Sequence, residues 1–368
     1  MAKVKKNKQT YPAKEVVYLL GAGATQADVG HRGGEKTNLL MKDSNVVGPG
    51  VATRVLRRAN IDRKLNIREE TDIEKLISLL NATGIDEYKR TADDLREAYY
   101  REILESLSKA GILEQPDLAI GLLQMHKNVL LKKSETLSGI INLNHDNLFQ
   151  VASQETHGCI NLGFDFNSSH FKRGDNEDAP LILQLHGSFS WFNTLPIEVS
   201  RLDPKTKYDK DILWIPPTTL KEAKDYPYNK LLGLAYELLL KRCKILRIIG
   251  CSLSQNDWNI ISLIFSAQYN QYRSSKTCFN IELIMDKDGC RRIINEFSYL
   301  KNIIPTGHLK DGDFHYYKEE EKVEEIPKVS DLDNPFKYWL KTKVKYHIKK
   351  KEFDSKNIGK TLKTIIEA

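Results

Sequence analysis

Cysteine is scarce in this chain and poorly placed for structural work. The five, Cys159, Cys243, Cys251, Cys278 and Cys290, are odd in number, scattered, and include no Cys-x-x-Cys pair. That argues against a disulfide framework and against a structural zinc site, and leaves free thiols in a reducing compartment. No apolar run is long enough to span a bilayer. The basic start, Met1-Ala2-Lys3-Val4-Lys5-Lys6-Asn7-Lys8, leads into Gln9-Thr10-Tyr11-Pro12 and has no small-residue cleavage site after it. A flexible basic arm on a cytoplasmic protein is the expectation. Internal repeats and low-complexity segments are absent from the sequence. Neither sign of charge dominates: 56 Lys+Arg against 49 Asp+Glu give +7 over 368 residues, which alone does not imply nucleic-acid binding.

What is present is the composition of a globular protein, with 40% hydrophobic and 29% charged residues and a mean hydropathy of -0.46. The length suits one large or two ordinary domains. Five short apolar runs without period-two alternation read as buried parallel strands: Val16–Leu20, Ile140–Leu143, Leu181–Leu185, Ile245–Ile249 and Ile281–Met285. Helical patterns at Asn147–Ser153, Lys230–Lys241 and Trp258–Tyr269 lie between them. Alternation of this kind predicts an α/β fold with a Rossmann-like parallel sheet covered on both faces. Between the first two strands lie three more helical patterns, Asp72–Leu80, Ala92–Lys109 and Asp117–Leu131. Thr71 or Asp72 would cap the first, and Pro116 suits the start of the last. They predict a helical lobe inserted at about 26–137. The stretch 163–179 reads as a surface loop, and Tyr208–Pro217 as an additional strand. A domain over 1–310 is expected, followed by a charged appendage at 311–368. There Glu319-Glu320-Glu321 and Glu324-Glu325 precede a basic stretch, Lys337–Lys351, whose simplest reading is a solvated face.

In open α/β sheets ligands bind beyond the carboxyl ends of the strands. After the first strand comes Gly21-Ala22-Gly23-Ala24-Thr25, where a tight turn would aim backbone N–H groups and a helix N-terminus at a phosphate. The third glycine of the dinucleotide fingerprint is replaced by Gln26, so an ordinary turn is an equal reading. The remaining strands end in Asn144-His145-Asp146, His186-Gly187-Ser188, Gly250-Cys251-Ser252 and Asp286-Lys287-Asp288. Each has a bland alternative: a helix cap, a turn with a satisfied histidine, a strand-to-helix link, a turn former. Together they put polar, ligand-competent groups at all five strand ends.

This ordered set, Gly-Ala-Gly-Ala-Thr, Asn-His-Asp, Leu-His-Gly-Ser and Gly-Cys-Ser-Leu-Ser, resembles the sirtuin NAD-binding domain. More narrowly it is similar to the divergent sirtuin-like proteins of prokaryotic anti-phage systems, over Val16 to Asp288. Asp72-Ile73-Glu74-Lys75-Leu76 resembles the acidic-aliphatic helix start of that group's helical lobe. The chain departs from deacylating sirtuins in lacking four zinc-binding cysteines and a Phe-Arg pair after the glycine loop, and in having Asn142 where the pattern has Thr.

The resemblance implies NAD+ as substrate and no zinc. Gly21, Ala22, Gly23 and Thr25 would hold the pyrophosphate, Gly250 and Ser252 phosphate or ribose oxygens, and Asp286 the adenosine ribose. Asn144 would position ribose or water, and Asp146 the nicotinamide-ribose side. His186 would be the base, since an unperturbed imidazole pKa of roughly 6.5 suits that work. Trp258 would be a core tryptophan or a pocket wall. The implied activity is NAD+ glycohydrolysis to ADP-ribose and nicotinamide, in a defence effector gated by homo-oligomerisation or by a HerA-like ATPase, a short Argonaute or a phage-derived activator. The rivals are a non-catalytic NAD/ADP-ribose-sensing module and, less favoured without the zinc cysteines, an NAD-dependent deacylase. Aromatics interleaved with lysines along Lys337–Lys351 also suit nucleic acid or a partner subunit.

Overall fold

Strand β1 (Lys14–Leu20) buries Val16 through Leu20 without a break, so both of its faces must be covered. The computed structural model describes residues 13–32, 37–44, 48–61, 71–127, 134–219, 221, 224–254, 256–297, 314–316, 334–349 and 358–367. In it β1 is central to a sheet with β2 (Glu135–Asn142), β4 (Leu181–Gln184), β8 (Ile245–Ile249), β9 (Asn280–Ile284) and β10 (Phe314–Tyr316), numbered in chain order. The order is β10-β9-β8-β1-β2-β4, and every pairing is parallel. The chain runs outward from β1 through β2 to β4, then crosses back to β8 and runs outward through β9 to β10. This is a doubly wound, Rossmann-like α/β sheet with its switch point between β1 and β8. The five expected strands are there; β2 begins earlier than expected, at Glu135, and β10 is an addition.

One helical layer comprises α1 (Ala22–Arg32), α5 (Asp117–Lys127), α6 (Leu148–His157), α10 (Pro335–Lys349) and α11 (Lys360–Glu367). The other comprises α7 (Tyr228–Glu237), the π turn that continues it over Leu238–Arg242, and α8 (Trp258–Ser275). A separate lobe is formed by α2 (Val51–Arg58), α3 (Ile73–Ala82) and α4 (Asp86–Lys109), around Val55, Leu56, Ile73, Ile77 and Leu95. Asp72 caps α3, accepting from the N–H groups of Glu74 and Lys75 at 3.0 and 3.2 Å. The lobe is smaller than the expected 26–137, because α1 and α5 pack in the main core. Asp28 of α1 accepts from the N–H groups of Leu118 and Ala119, which ties the first turn of α5 to α1.

Two further expectations are corrected. The C-terminal segment is no appendage: Phe336, Trp339, Leu340 and Val344 of α10 and Leu362 and Ile365 of α11 belong to the main core. Its lysines conceal an apolar stripe at helical spacing, and Lys343 pairs with Glu135 at 2.8 Å. Trp339 therefore faces the interior and is not available for base stacking; Lys350 and Lys351, the acidic residues 319–325 and the basic arm lie outside the described residues. Secondly, the expected loop at 163–179 and the segment after it hold strands of a small sheet, β3 (Phe166–Asn167), β5 (Gly187–Phe192), β6 (Ile197–Val199) and β7 (Ile212–Trp214), ordered β3-β6-β5-β7, of which β7 is the strand expected at Tyr208–Pro217. The turn from β4 into β5 falls at Gly187, whose φ of +72° favours glycine and where a Cβ would lie 2.3 Å from the Leu213 carbonyl oxygen. That corner sets His186 at the carboxyl edge of the main sheet.

Candidate functional site

At the switch point the loops that follow β1 and β8 interlock. Gly21 N–H donates to the Ile249 carbonyl at 3.1 Å, and Gly23 N–H to the Gly250 carbonyl at 2.9 Å. A Cβ on Gly21 would lie 2.6 Å from the Cys251 Cα, and one on Gly23 2.7 Å from the Gly250 Cα. Gly250 itself has φ +55°. This corrects the expected use of the glycines. Two of the N–H groups assigned to a phosphate are already bonded to backbone, and the missing side chains make room for the neighbouring loop. Ala22 opens α1, so the helix N-terminus still points at the switch point.

Thr25, Asn144 and Asp146 form a compact knot beside that loop. Asn144 Nδ2 donates to the Gly21 carbonyl at 3.0 Å and to Thr25 Oγ1 at 2.9 Å. The Thr25 hydroxyl donates to Asp146 Oδ2 at 2.8 Å, while Asp146 Oδ1 accepts from Leu148 N–H at 3.2 Å. Asp146 is buried, and burial raises its pKa against the hydrogen bonds that lower it. Its carboxylate supports the loop and the start of α6, whereas Asn144 keeps an amide oxygen to offer a ligand. Asn142, where the family pattern has Thr, accepts Asn144 N–H at 3.0 Å and leaves its own buried Nδ2 unpaired.

His186 lies next to this knot. Its Nδ1 is 3.1 Å from the Leu143 carbonyl, which can only accept, so Nδ1 carries the proton and Nε2 is the bare acceptor. Burial, with help from the Lys221 charge and against the Leu143 hydrogen bond, lowers its pKa to about 3. The expectation of an imidazole near its ordinary value is therefore corrected: the ring is a neutral hydrogen-bond acceptor. His145 is likewise lowered to about 3, chiefly by burial. It donates from Nε2 to the Ile215 carbonyl at 3.0 Å and packs among Tyr99, Phe189 and Trp214.

Four residues to which sequence reasoning gave no role, Glu74, Lys221, Asn256 and Asp257, complete the site. Lys221 places Nζ 2.5 Å from Asp257 Oδ1 and 3.5 Å from Glu74 Oε1. Asn256 bonds Glu74, and Asp257 Oδ1 comes within 3.5 Å of His186 Nε2. With the ring neutral this last contact is not an ion pair; the Lys221 ammonium is what balances Asp257. The resemblance had picked out the helix start that carries Glu74 without giving it a role. Asp257 stands, with Asn256, among the polar residues that follow the fourth apolar strand, while Lys221, 36 residues before it, sits in a segment with no motif. His186, Lys221, Asn256 and Asp257, together with Leu185, Ile215, Leu232 and Ile260, line a cavity of about 10 Å³, and Glu74 stands behind Lys221.

The remaining predicted residues lie around this centre. Ser252 is exposed beside Gly250. Asp286 is exposed and caps α9 (Lys287–Glu296), accepting Gly289 N–H at 2.7 Å, a helix-capping role where a turn former was the alternative. Trp258 is 57% exposed as the first residue of α8, and the core role is overturned. Burial pushes the Cys251 thiol up to about 12, which removes it as a thiolate nucleophile. Among the described residues no group of three or more His, Cys, Asp or Glu is placed to hold a metal, and no helix is long and apolar enough to cross a membrane. The fold and site define a doubly wound α/β protein with a polar centre at its switch point. Comparison with known proteins finds no matching family model and no matching curated protein.

Proposed function

We propose that the chain is an NAD+ glycohydrolase that cleaves NAD+ to nicotinamide and ADP-ribose. The observation that carries this reading is the convergence of Thr25, Asn144 and His186 at the carboxyl edge of β1, β2 and β4, beside the switch point where doubly wound sheets bind nucleotides. The sequence resemblance to sirtuin-like defence proteins supports the same ligand.

In this reading the N-terminus of α1 faces the pyrophosphate, with the Ser252 hydroxyl near it and Asp286 toward the adenosine ribose. Cleavage of the nicotinamide–ribose bond builds positive charge at C1′, and nicotinamide leaves as a neutral ring. The chain therefore has to orient the ribose, favour the developing cation and place water. The Asn144 amide oxygen accepts from the attacking water, and Nε2 of His186 accepts from a ribose hydroxyl. Asp146 holds Thr25, and through it Asn144, in position. Water is the acceptor in this reading, since the five scattered cysteines do not match the four-cysteine zinc module of the peptide deacylases. As a defence effector it would act in the cytoplasm as a homo-oligomer or with a partner ATPase, Argonaute or phage component.

The test is chromatography of NAD+ incubated with full-length protein. Folded Asn144→Ala and His186→Ala variants are expected to lose about 100-fold or more in rate. Full activity in either variant removes that residue from its role. Tight binding of NAD+ without product by wild type favours the sensing module instead.

A further inference from the structure

The cavity beside His186 is walled on one side by Lys221 and Asp257, which form with Glu74 an ion triad that the proposed hydrolysis does not use. Lys221 lies between β7 and α7, Glu74 is on α3 of the lobe, and Asp257 precedes α8. Their side chains are 11%, 17% and 10% exposed. The same segment is pinned twice more: Thr219 N–H donates to Ser78 Oγ at 2.8 Å, and Asn259 Nδ2 donates to the Lys221 carbonyl at 2.8 Å. Burial alone would pull the Lys221 pKa down, but Asp257 and Glu74 outweigh it and hold the pKa above its ordinary value, so the ammonium stays charged. With Lys221 seated, about 10 Å³ remains, room for one water, against roughly 300 Å³ or more in an ordinary small-molecule site.

We infer that Lys221 is a removable latch: seated between Asp257 and Glu74 it closes the pocket beside His186, and its withdrawal opens an anionic subsite for a positively charged ring such as the pyridinium of an oxidised dinucleotide. The inference rests on the proposed function for the identity of the ligand. Three features favour it. Lysine is a point charge on a flexible stem and leaves without the fork geometry that fixes an arginine. Two largely buried carboxylates stripped of their cation repel each other, so an incoming cation replaces the ammonium where a neutral ring does not. Lys221 also stands outside any helix or strand, so its withdrawal breaks no helix or sheet hydrogen bond.

The experiment compares full-length wild type, Lys221→Met and Ser78→Ala. Ser78→Ala loosens the same segment without touching a charge, so it decides the matter if Lys221→Met does not fold. Binding of non-hydrolysable carba-NAD+ and of NADH is measured by calorimetry, and NAD+ hydrolysis by chromatography. A latch shut about nine-tenths of the time weakens apparent affinity about tenfold, so Lys221→Met is expected to bind carba-NAD+ about tenfold tighter and Ser78→Ala a few-fold tighter. Lys221→Met is also expected to prefer carba-NAD+ to NADH. Affinity unchanged or weakened in the folded variants overturns the latch, and equal affinity for NADH overturns the anionic subsite. Tighter carba-NAD+ binding without hydrolysis by any protein keeps the latch and refutes the glycohydrolase. Hydrolysis by all three proteins with unchanged affinity does the reverse.

Discussion

Three histidines, His126 and His186 buried and His145 half-buried, are each lowered to about 3, with desolvation the first cause every time. A depressed histidine pKa means that the unfolded chain takes up the proton first. The stability these rings contribute is complete above about 6.5 and is lost as pH falls toward about 3. At pH 5 each costs on the order of 1–2 kcal/mol. The urea midpoint is therefore expected to fall from pH 7 to pH 5, and less steeply in His186→Asn; a midpoint flat with pH contradicts the neutral assignment. Gly23 carries a second prediction. A Cβ there meets backbone, the Gly250 Cα at 2.7 Å, so the switch loops must part and Thr25 must move from Asp146. Gly23→Ala is expected to cost about 1–3 kcal/mol in a urea titration and most of the hydrolysis.

Among the elements, β8 and the C-terminal helix are linked by charge. Arg247, fully buried on β8, donates to Glu135 at 2.7 Å and to Glu282 at 2.6 Å, and lies 5.3 Å from the Trp339 ring of α10. Arg247→Met leaves Glu135 and Glu282 without that cation and is expected to cost about 3–5 kcal/mol in chemical denaturation, whereas a loss under about 1 kcal/mol would show that the acids find water. The continuous apolar strands were legible because a strand covered on both faces has to be apolar throughout. Of the small sheet only β7 was legible, within Tyr208–Pro217; β3, β5 and β6 were not, since two to six residues carry too little periodicity. Helix α10 was hidden because its lysines outnumber the apolar residues facing the core, so charge masked the stripe of Phe336, Leu340 and Val344.

Over the whole molecule, the doubly wound order brings Thr25, Asn144 and His186 to one edge from positions far apart in the chain. Those residues were legible because each follows an apolar run. The grouping of Glu74, Lys221 and Asp257 was not, because an ion triad assembled from the lobe, a connecting segment and a helix start leaves no local pattern. The central claim concerns what this edge does to NAD+. The most direct measurement counts nicotinamide and ADP-ribose against NAD+ lost, using Lys221→Met protein so that the latch is open, beside the same protein carrying Asn144→Ala. The account predicts both products in equal amounts from the first protein and a loss of about 100-fold in the second, folded protein. Intact NAD+ in the first, or equal turnover in both, would contradict it.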